Sequence, residues 1–175
     1  MLATAAAFPW MLGACAFGKK PTPPPGAAAP GASPARPAAV PMPAPVLPTV
    51  LELTVVAAPA LNPSASQRPS PLLLRMYELR SVASFAKGDF MALYQADQTL
   101  LAGDLVLREQ YTLLPGERQV IRRVLAAETR HLGFFAAYRD LERSLWRIQV
   151  EIKPGQTNRL ELRADALALS FVNPA

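Results

Sequence analysis

The stretch Leu61–Leu79, LNPSASQRPSPLLLRMYEL, sets a polar, proline-bounded loop directly against an apolar run. Pro63, Pro69 and Pro71 fix their own φ and push the residues ahead of them, Asn62, Arg68 and Ser70, toward extended geometry. The loop cannot coil into a helix, and it reads as a rigid, preformed protrusion. Leu72 to Leu79 then form a run short and bulky enough to be a largely buried strand.

Upstream of the loop, Leu51, Leu53 and Val55 alternate with Glu52, Thr54 and Val56, the period of a strand with one buried face, beginning at Thr49. Downstream, between Ser81 and Gly103, the period becomes helical, and nowhere else in the domain does it do so. Asp89 is placed to cap a helix with Phe90, Leu93 and Tyr94 on one face. Asp97 falls at the next turn, where a buried carboxylate is costly, so it reads as the cap of a second short helix that carries Leu100 and Leu101 and ends at Gly103. The aromatic stripe reads as core, with the helices packed on one edge of a sandwich.

The remaining chain predicts strands. Glu109 to Leu114, the turn Pro115-Gly116 and Arg118 to Leu125 read as a hairpin. His131 to Arg139 follows, with Leu132, Phe134, Ala136 and Tyr138 on one face. Trp146, Ile148, Val150 and Ile152 alternate with charged and polar residues, Pro154-Gly155 turns the chain into Asn158 to Arg163, and Leu167, Leu169 and Phe171 close the domain. Eight short strands at regular spacing predict a mainly β protein, a two-sheet antiparallel sandwich with a short helical insertion after strand two.

Four patterns in this order carry a family resemblance: Asn62-Pro63-x-Ala65-Ser66-x-Arg68-Pro69-Ser70-Pro71, then Arg75-x-Tyr77-x-Leu79, then Phe90-x-Ala92-Leu93-Tyr94, then Ala136-Ala137-Tyr138-Arg139-Asp140-Leu141. Together they resemble the TssJ family, the outer-membrane lipoprotein of the type VI secretion system, over roughly Val50 to Val172. The resemblance implies a transthyretin-like sandwich. It also implies that the Leu61–Pro71 loop docks on the periplasmic domain of the inner-membrane IcmF-like component, the TssM family, as one subunit of a multi-subunit envelope complex. Asn62, Gln67, Arg68, Pro69 and Ser70 are the expected contact residues.

The N-terminal part fits an exported lipoprotein. MLATAAAFPWMLGAC is apolar from Leu2 to Leu12 and ends in small residues, the form of a signal peptide over residues 1–14. Its apolar run is too short to span a bilayer, which takes about 20 residues. Leu12-Gly13-Ala14-Cys15 resembles a lipobox, which makes Cys15 the lipid-attachment residue, and Ala16 in place of Asp implies transfer to the outer membrane, on its periplasmic face. An inert thiol is the plainer reading of a lone cysteine. No Lys or Arg precedes Cys15, which fits a start further upstream. The lipidated Cys15 opens a Pro/Ala-rich linker over 15–48, and the sandwich occupies 49–175. With 19 prolines in 175 residues, most of them before Pro48, the linker builds no core. It reads equally as an extended spacer or as drift in a segment on which nothing packs.

Catalytic chemistry is missing from the sequence. One His and one Cys form no metal-ligand spacing, no Gly-rich loop follows a strand to cradle phosphate, and Ser70, His131 and Asp140 have neither the spacing nor the elbow motif of a triad. His131 reads as a solvated strand-end residue at a sheet edge. The chain is read as non-enzymatic, with no cofactor and no metal. A net charge of +5 raises the question of nucleic acid, but Arg147, Arg159 and Arg163 share strand faces with Glu151 and Glu161. That pattern reads as a solvated face, with weak attraction to an anionic partner or lipid head groups as the lesser alternative. Asp140 reads as the cap of a turn over Leu141–Ser144, with Arg139 paired to a nearby carboxylate. A competing function is a free-standing periplasmic sandwich that binds a small ligand or inhibits an exported enzyme. It requires a pocket with convergent polar groups.

Overall fold

The computed structural model describes residues 47–172. The signal peptide, Cys15 and the linker up to residue 46 lie outside the described residues. The chain runs β1 (Val50–Ala57), β2 (Leu72–Leu79), α1 (Ala83–Lys87), α2 (Phe90–Leu101), β3 (Leu105–Leu113), β4 (Arg118–Val124), β5 (His131–Ala136), β6 (Arg147–Glu151), β7 (Thr157–Ala164) and β8 (Leu169–Val172). Two four-stranded sheets result, the first in the order β4-β1-β7-β8 and the second in the order β3-β2-β5-β6. Neighbours pair antiparallel except β1 and β7, which run parallel. The sandwich is therefore mixed where the sequence predicted antiparallel pairing throughout.

Alternation places the core. Along β1 the odd positions Leu51, Leu53, Val55 and Ala57 are buried and the even ones only partly so. They meet Leu72, Leu74 and Met76 of β2, Leu132, Phe134 and Ala136 of β5 and Leu162 of β7 between the sheets. β2 is buried on both faces, because Tyr77 and Leu79 point the other way into a second cluster with Phe85, Leu93, Leu101 and Phe135. The helices thus cover the outer face of the second sheet and not an edge of the sandwich. Gly133 in β5 makes room for this packing, since a Cβ there would stand 3.0 Å from the Phe85 ring.

Asp89 caps α2, accepting from the Ala92 N–H at 2.8 Å. Asp97 departs from its prediction in part. The helix kinks at Ala96 (φ −138°, ψ 32°), and an Asp97 oxygen accepts from the Gln98 N–H at 2.8 Å, but the Asp97 side chain is only 6% exposed. It lies 3.1 Å from the guanidinium groups of both Arg75 and Arg108 and accepts from the Tyr77 hydroxyl at 2.8 Å. The penalty for burying charge applies to an unpaired group, and here two cations and a phenol compensate it.

The predicted hairpin over Glu109–Leu125 does not form. β3 pairs with β2 and β4 with β1, so Pro115-Gly116 carries the chain from one sheet to the other. Gly116 adopts φ 77°, and the crossing is fastened to the end of β1 by hydrogen bonds from the Gly116 N–H to the Ala58 carbonyl (3.2 Å) and from the Ala57 N–H to the Glu117 carbonyl (2.8 Å). Crossing lets the inner faces of β3 and β4 oppose each other. Arg123 of β4 pairs with buried Glu78 of β2 at 2.9 Å and with Glu109 of β3, while Thr129 donates to Glu78 at 2.6 Å. β3 starts at Leu105, earlier than predicted, because a register shift between Glu78 and Leu79 breaks its alternation. His131 does open β5, but β5 lies between β2 and β6 and is no sheet edge.

Two stability predictions follow from these buried groups. Asp97→Ala leaves Arg75 and Arg108 without their shared counter-charge and should lower unfolding free energy by about 3 kcal/mol in urea titration. Burial also raises the ionisation of the Tyr77, Tyr111 and Tyr138 hydroxyls above the ordinary tyrosine range. Unfolded tyrosines ionise near pH 10, so above that pH the unfolded chain binds fewer protons than the folded one. Stability should be intact below about pH 10 and fall as pH rises further, with a shallower fall in Tyr138→Phe, as read by the urea midpoint across pH 8 to 11.5.

Candidate partner-docking site

The loop between β1 and β2 is held from within. Its base closes through the Ser70 N–H on the Leu61 carbonyl (2.9 Å), and its tip through the Ser64 N–H on the Arg68 carbonyl and the Gln67 N–H on the Ser64 carbonyl (both 2.8 Å). The Arg68 N–H also donates to the Ser64 hydroxyl at 3.2 Å. Leu61 is fully buried in the core between the sheets and anchors the loop to it. Gln67 takes a left-handed φ of 60° to turn the tip. With Pro63, Pro69 and Pro71 in the same segment, few backbone torsions remain free, but Asn62 is left-handed (φ 47°) where the following proline predicted an extended residue.

The five expected contact residues divide into two groups. Gln67, Arg68 and Pro69 are exposed at the tip. Asn62 (3% exposed) and Ser70 (8%) are buried and offer no contact surface. Asn62 adopts φ 47°, a conformation that Asn tolerates better than most residues. Its side-chain amide donates to the Pro71 carbonyl at 2.8 Å, and its oxygen accepts from the Arg139 N–H at 2.9 Å. The Ser70 hydroxyl turns back to the Arg68 carbonyl at 3.4 Å. Both residues shape the loop. Spacing alone could not separate them from the tip, because side-chain direction depends on the positive φ and on a partner 77 residues away.

That partner brings a second segment alongside. The connection from β5 to β6 contributes Arg139, Asp140, Leu141, Glu142 and Arg143 to an open groove of about 730 Å³, walled on the other side by Pro63, Ser64, Ala65 and Gln67. Asp140 caps its turn as predicted, accepting from the Arg143 N–H at 3.2 Å and from its Nε at 2.6 Å. The Arg143 guanidinium holds the Asp140 carboxyl below the usual carboxylate range. Arg139 makes no ion pair among the described residues, contrary to the pairing predicted for it. It stays exposed while Arg143 takes the neighbouring carboxylate. The sequence reading missed Arg143 and Glu142 as neighbours of the loop. The signal for them lies in Tyr138, buried at 3% exposure, whose hydroxyl donates to the Asp165 carbonyl at 3.1 Å and so fixes the start of the segment.

The polar groups that a ligand-binding alternative requires converge at this end, while the space between the sheets is filled by the core. Among the described residues no three His, Cys, Asp or Glu side chains gather to hold a metal ion. No helix there is long and apolar enough to cross a membrane.

Fold and loop end together define a transthyretin-like sandwich with a stiff polar protrusion at one end. The sequence profile of the type VI secretion lipoproteins (VasD, EvfM, TssJ) matches residues 49–167, and the chain belongs to that family. It is similar to the type VI lipoprotein TssJ1 of Pseudomonas aeruginosa, with 43% identity over 73% of this chain and 98% of that one, at a TM-score of 0.71. It shares its fold with Serratia marcescens Lip, a membrane-bound component of the type VI secretion system (24% identity, 74% and 99% covered, TM-score 0.69). A chain in the structure of the type VI protein TssM C-terminal domain from EAEC is also similar (25% identity, 70% and 99% covered, TM-score 0.60). No curated protein sequence matches the chain.

Asn62→Ala removes the bonds to both the Pro71 carbonyl and the Arg139 N–H. It should cost about 1–3 kcal/mol and speed amide hydrogen exchange at Ser64, Gln67 and Arg139 while leaving the strands protected.

Proposed function

We propose that this chain is the outer-membrane-anchored subunit of a type VI secretion membrane complex and that it tethers the inner-membrane TssM component by docking on its periplasmic domain. The observation that carries the reading is the loop between β1 and β2. Its core-anchored base and proline-stiffened tip leave Gln67, Arg68 and Pro69 exposed in one fixed arrangement. A partner that binds such a loop loses little ordering entropy, and the Arg68 guanidinium offers forked donors to a carboxylate or carbonyl. Membership of the lipoprotein family and the likeness to a chain in a TssM structure support the choice of partner.

Cys15 is the proposed lipid-attachment residue. Acyl chains bury about 0.8 kcal/mol per CH₂, so several together hold a protein durably on a bilayer. The Pro-rich segment then supplies reach, and the folded domain acts without catalysis. The contact residues are proposed as Gln67, Arg68 and Pro69, with Asn62 and Ser70 holding the loop in shape.

The deciding experiment measures binding of the folded domain, Thr49 to Ala175, to the purified periplasmic domain of the cognate TssM component. Arg68→Asp should weaken binding at least tenfold while circular dichroism stays unchanged. Absence of binding by the native domain would overturn the tethering role.

A further inference from the structure

Among the described residues nothing covers the outer face of the first sheet, whereas that of the second carries the helices. Strand register determines what it displays. Arg118 of β4 and Arg163 of β7 flank Val56 of β1, and two rows along, Arg122 and Arg159 flank Glu52 in the same way. All four arginines are exposed. The acidic residues on this face, Glu52 and Glu161, are both partly buried. Glu52 is shared, one oxygen 3.3 Å from Arg122 and the other 2.9 Å from Arg159. Arg118 and Arg163 make no ion pair among the described residues. In sequence the basic residues of β6 and β7 read as one mixed-charge pattern. In the fold Arg147 belongs to the other sheet, where it donates to the Phe85 and Gly88 carbonyls, and two arginines from β4 take its place.

Apolar groups stand between these cations. Val120 is 71% and Val124 61% exposed, both on the edge strand β4. Arginines interleaved with uncovered aliphatic residues match the interface of an anionic bilayer, where guanidinium groups meet phosphate and short apolar side chains sit at the boundary. The chain also enters this sheet from the side of its N-terminal segment, since Val50 is paired with Val124 and Thr157 at that end. The loop between β1 and β2 leaves from the other end of β1, beside the row of Arg118, Val56 and Arg163.

We propose that the outer face of the β4-β1-β7-β8 sheet, through Arg118, Arg122, Arg159 and Arg163, is a contact surface for the anionic phosphate head groups of a bilayer. The proposal takes membrane proximity from the reading of Cys15 as a lipid anchor, but the head-group contact itself needs no acylation.

The test is therefore co-sedimentation of the unacylated folded domain with vesicles. The domain holds a closed core of its own, and the Pseudomonas relative is matched over 98% of its crystallised length by this part of the chain. Vesicles of phosphatidylcholine with one third phosphatidylglycerol are compared with phosphatidylcholine alone. Salt-sensitive binding to the anionic vesicles is expected. Each arginine contributes about fivefold, so Arg118→Ala with Arg163→Ala should weaken it about 25-fold. Arg80→Ala with Lys87→Ala, which removes two cations from the other side, should leave it unchanged within about twofold.

Absence of native binding, or equal loss in both double variants, overturns the proposal. So does a face variant that keeps vesicle binding but loses the TssM periplasmic domain, because the face would then serve a protein. Arg68→Asp should leave vesicle binding intact. Failure of the docking loop and failure of the membrane face are thus read separately.

Discussion

The structure turns on the need to cover β2 on both faces. One face supplies Leu72, Leu74 and Met76 to the core between the sheets, and the other supplies Tyr77 and Leu79 to the core beneath the helices. A strand so placed cannot show a charge to water, yet Arg75 and Glu78 lie on it, 8% and 1% exposed. Each is met by a partner from another element. Asp97 comes from the kink of α2, and Arg123 comes across the sandwich from β4. The helical insertion and the crossing at Pro115-Gly116 both supply what this one strand needs.

That dependence explains which parts of the fold were legible in the sequence. β1, β2, β6 and the cap at Asp89 follow from local period and chemistry, and the structure has them where the sequence places them. What local pattern does not contain is who pairs with whom. Glu109–Leu114 and Arg118–Leu125 flank a turn as good as any hairpin's, and pairing of β3 with β2 and of β4 with β1, with Arg123 opposed to Glu78 and Glu109 across the core, puts the two strands in different sheets. Asp97 was read as a surface cap for the same reason. Its two cations come from residues 22 and 11 positions away in sequence, Arg75 and Arg108.

The docking end divides along similar lines. Prolines made the loop's stiffness readable, and Arg68, expected as a contact residue with four others, is exposed at its tip. Asn62 could not, because its role rests on a left-handed backbone and on a bond to Arg139 in the next loop. The loop residues thus divide between those exposed at the tip and those buried beneath it that hold the tip in position.

β1 occupies a particular position between the two ends of the molecule. It begins where the N-terminal segment enters and ends where the docking loop leaves, and it lies in the middle of its sheet, hydrogen-bonded to β4 on one side and β7 on the other. A pull applied between the two ends of β1 would run along this strand's own axis. Both ladders would then be loaded in shear, with their bonds resisting together, instead of being peeled apart one after another. A strand hydrogen-bonded on both sides thus resists a pull along its axis better than an edge strand, which has one ladder only.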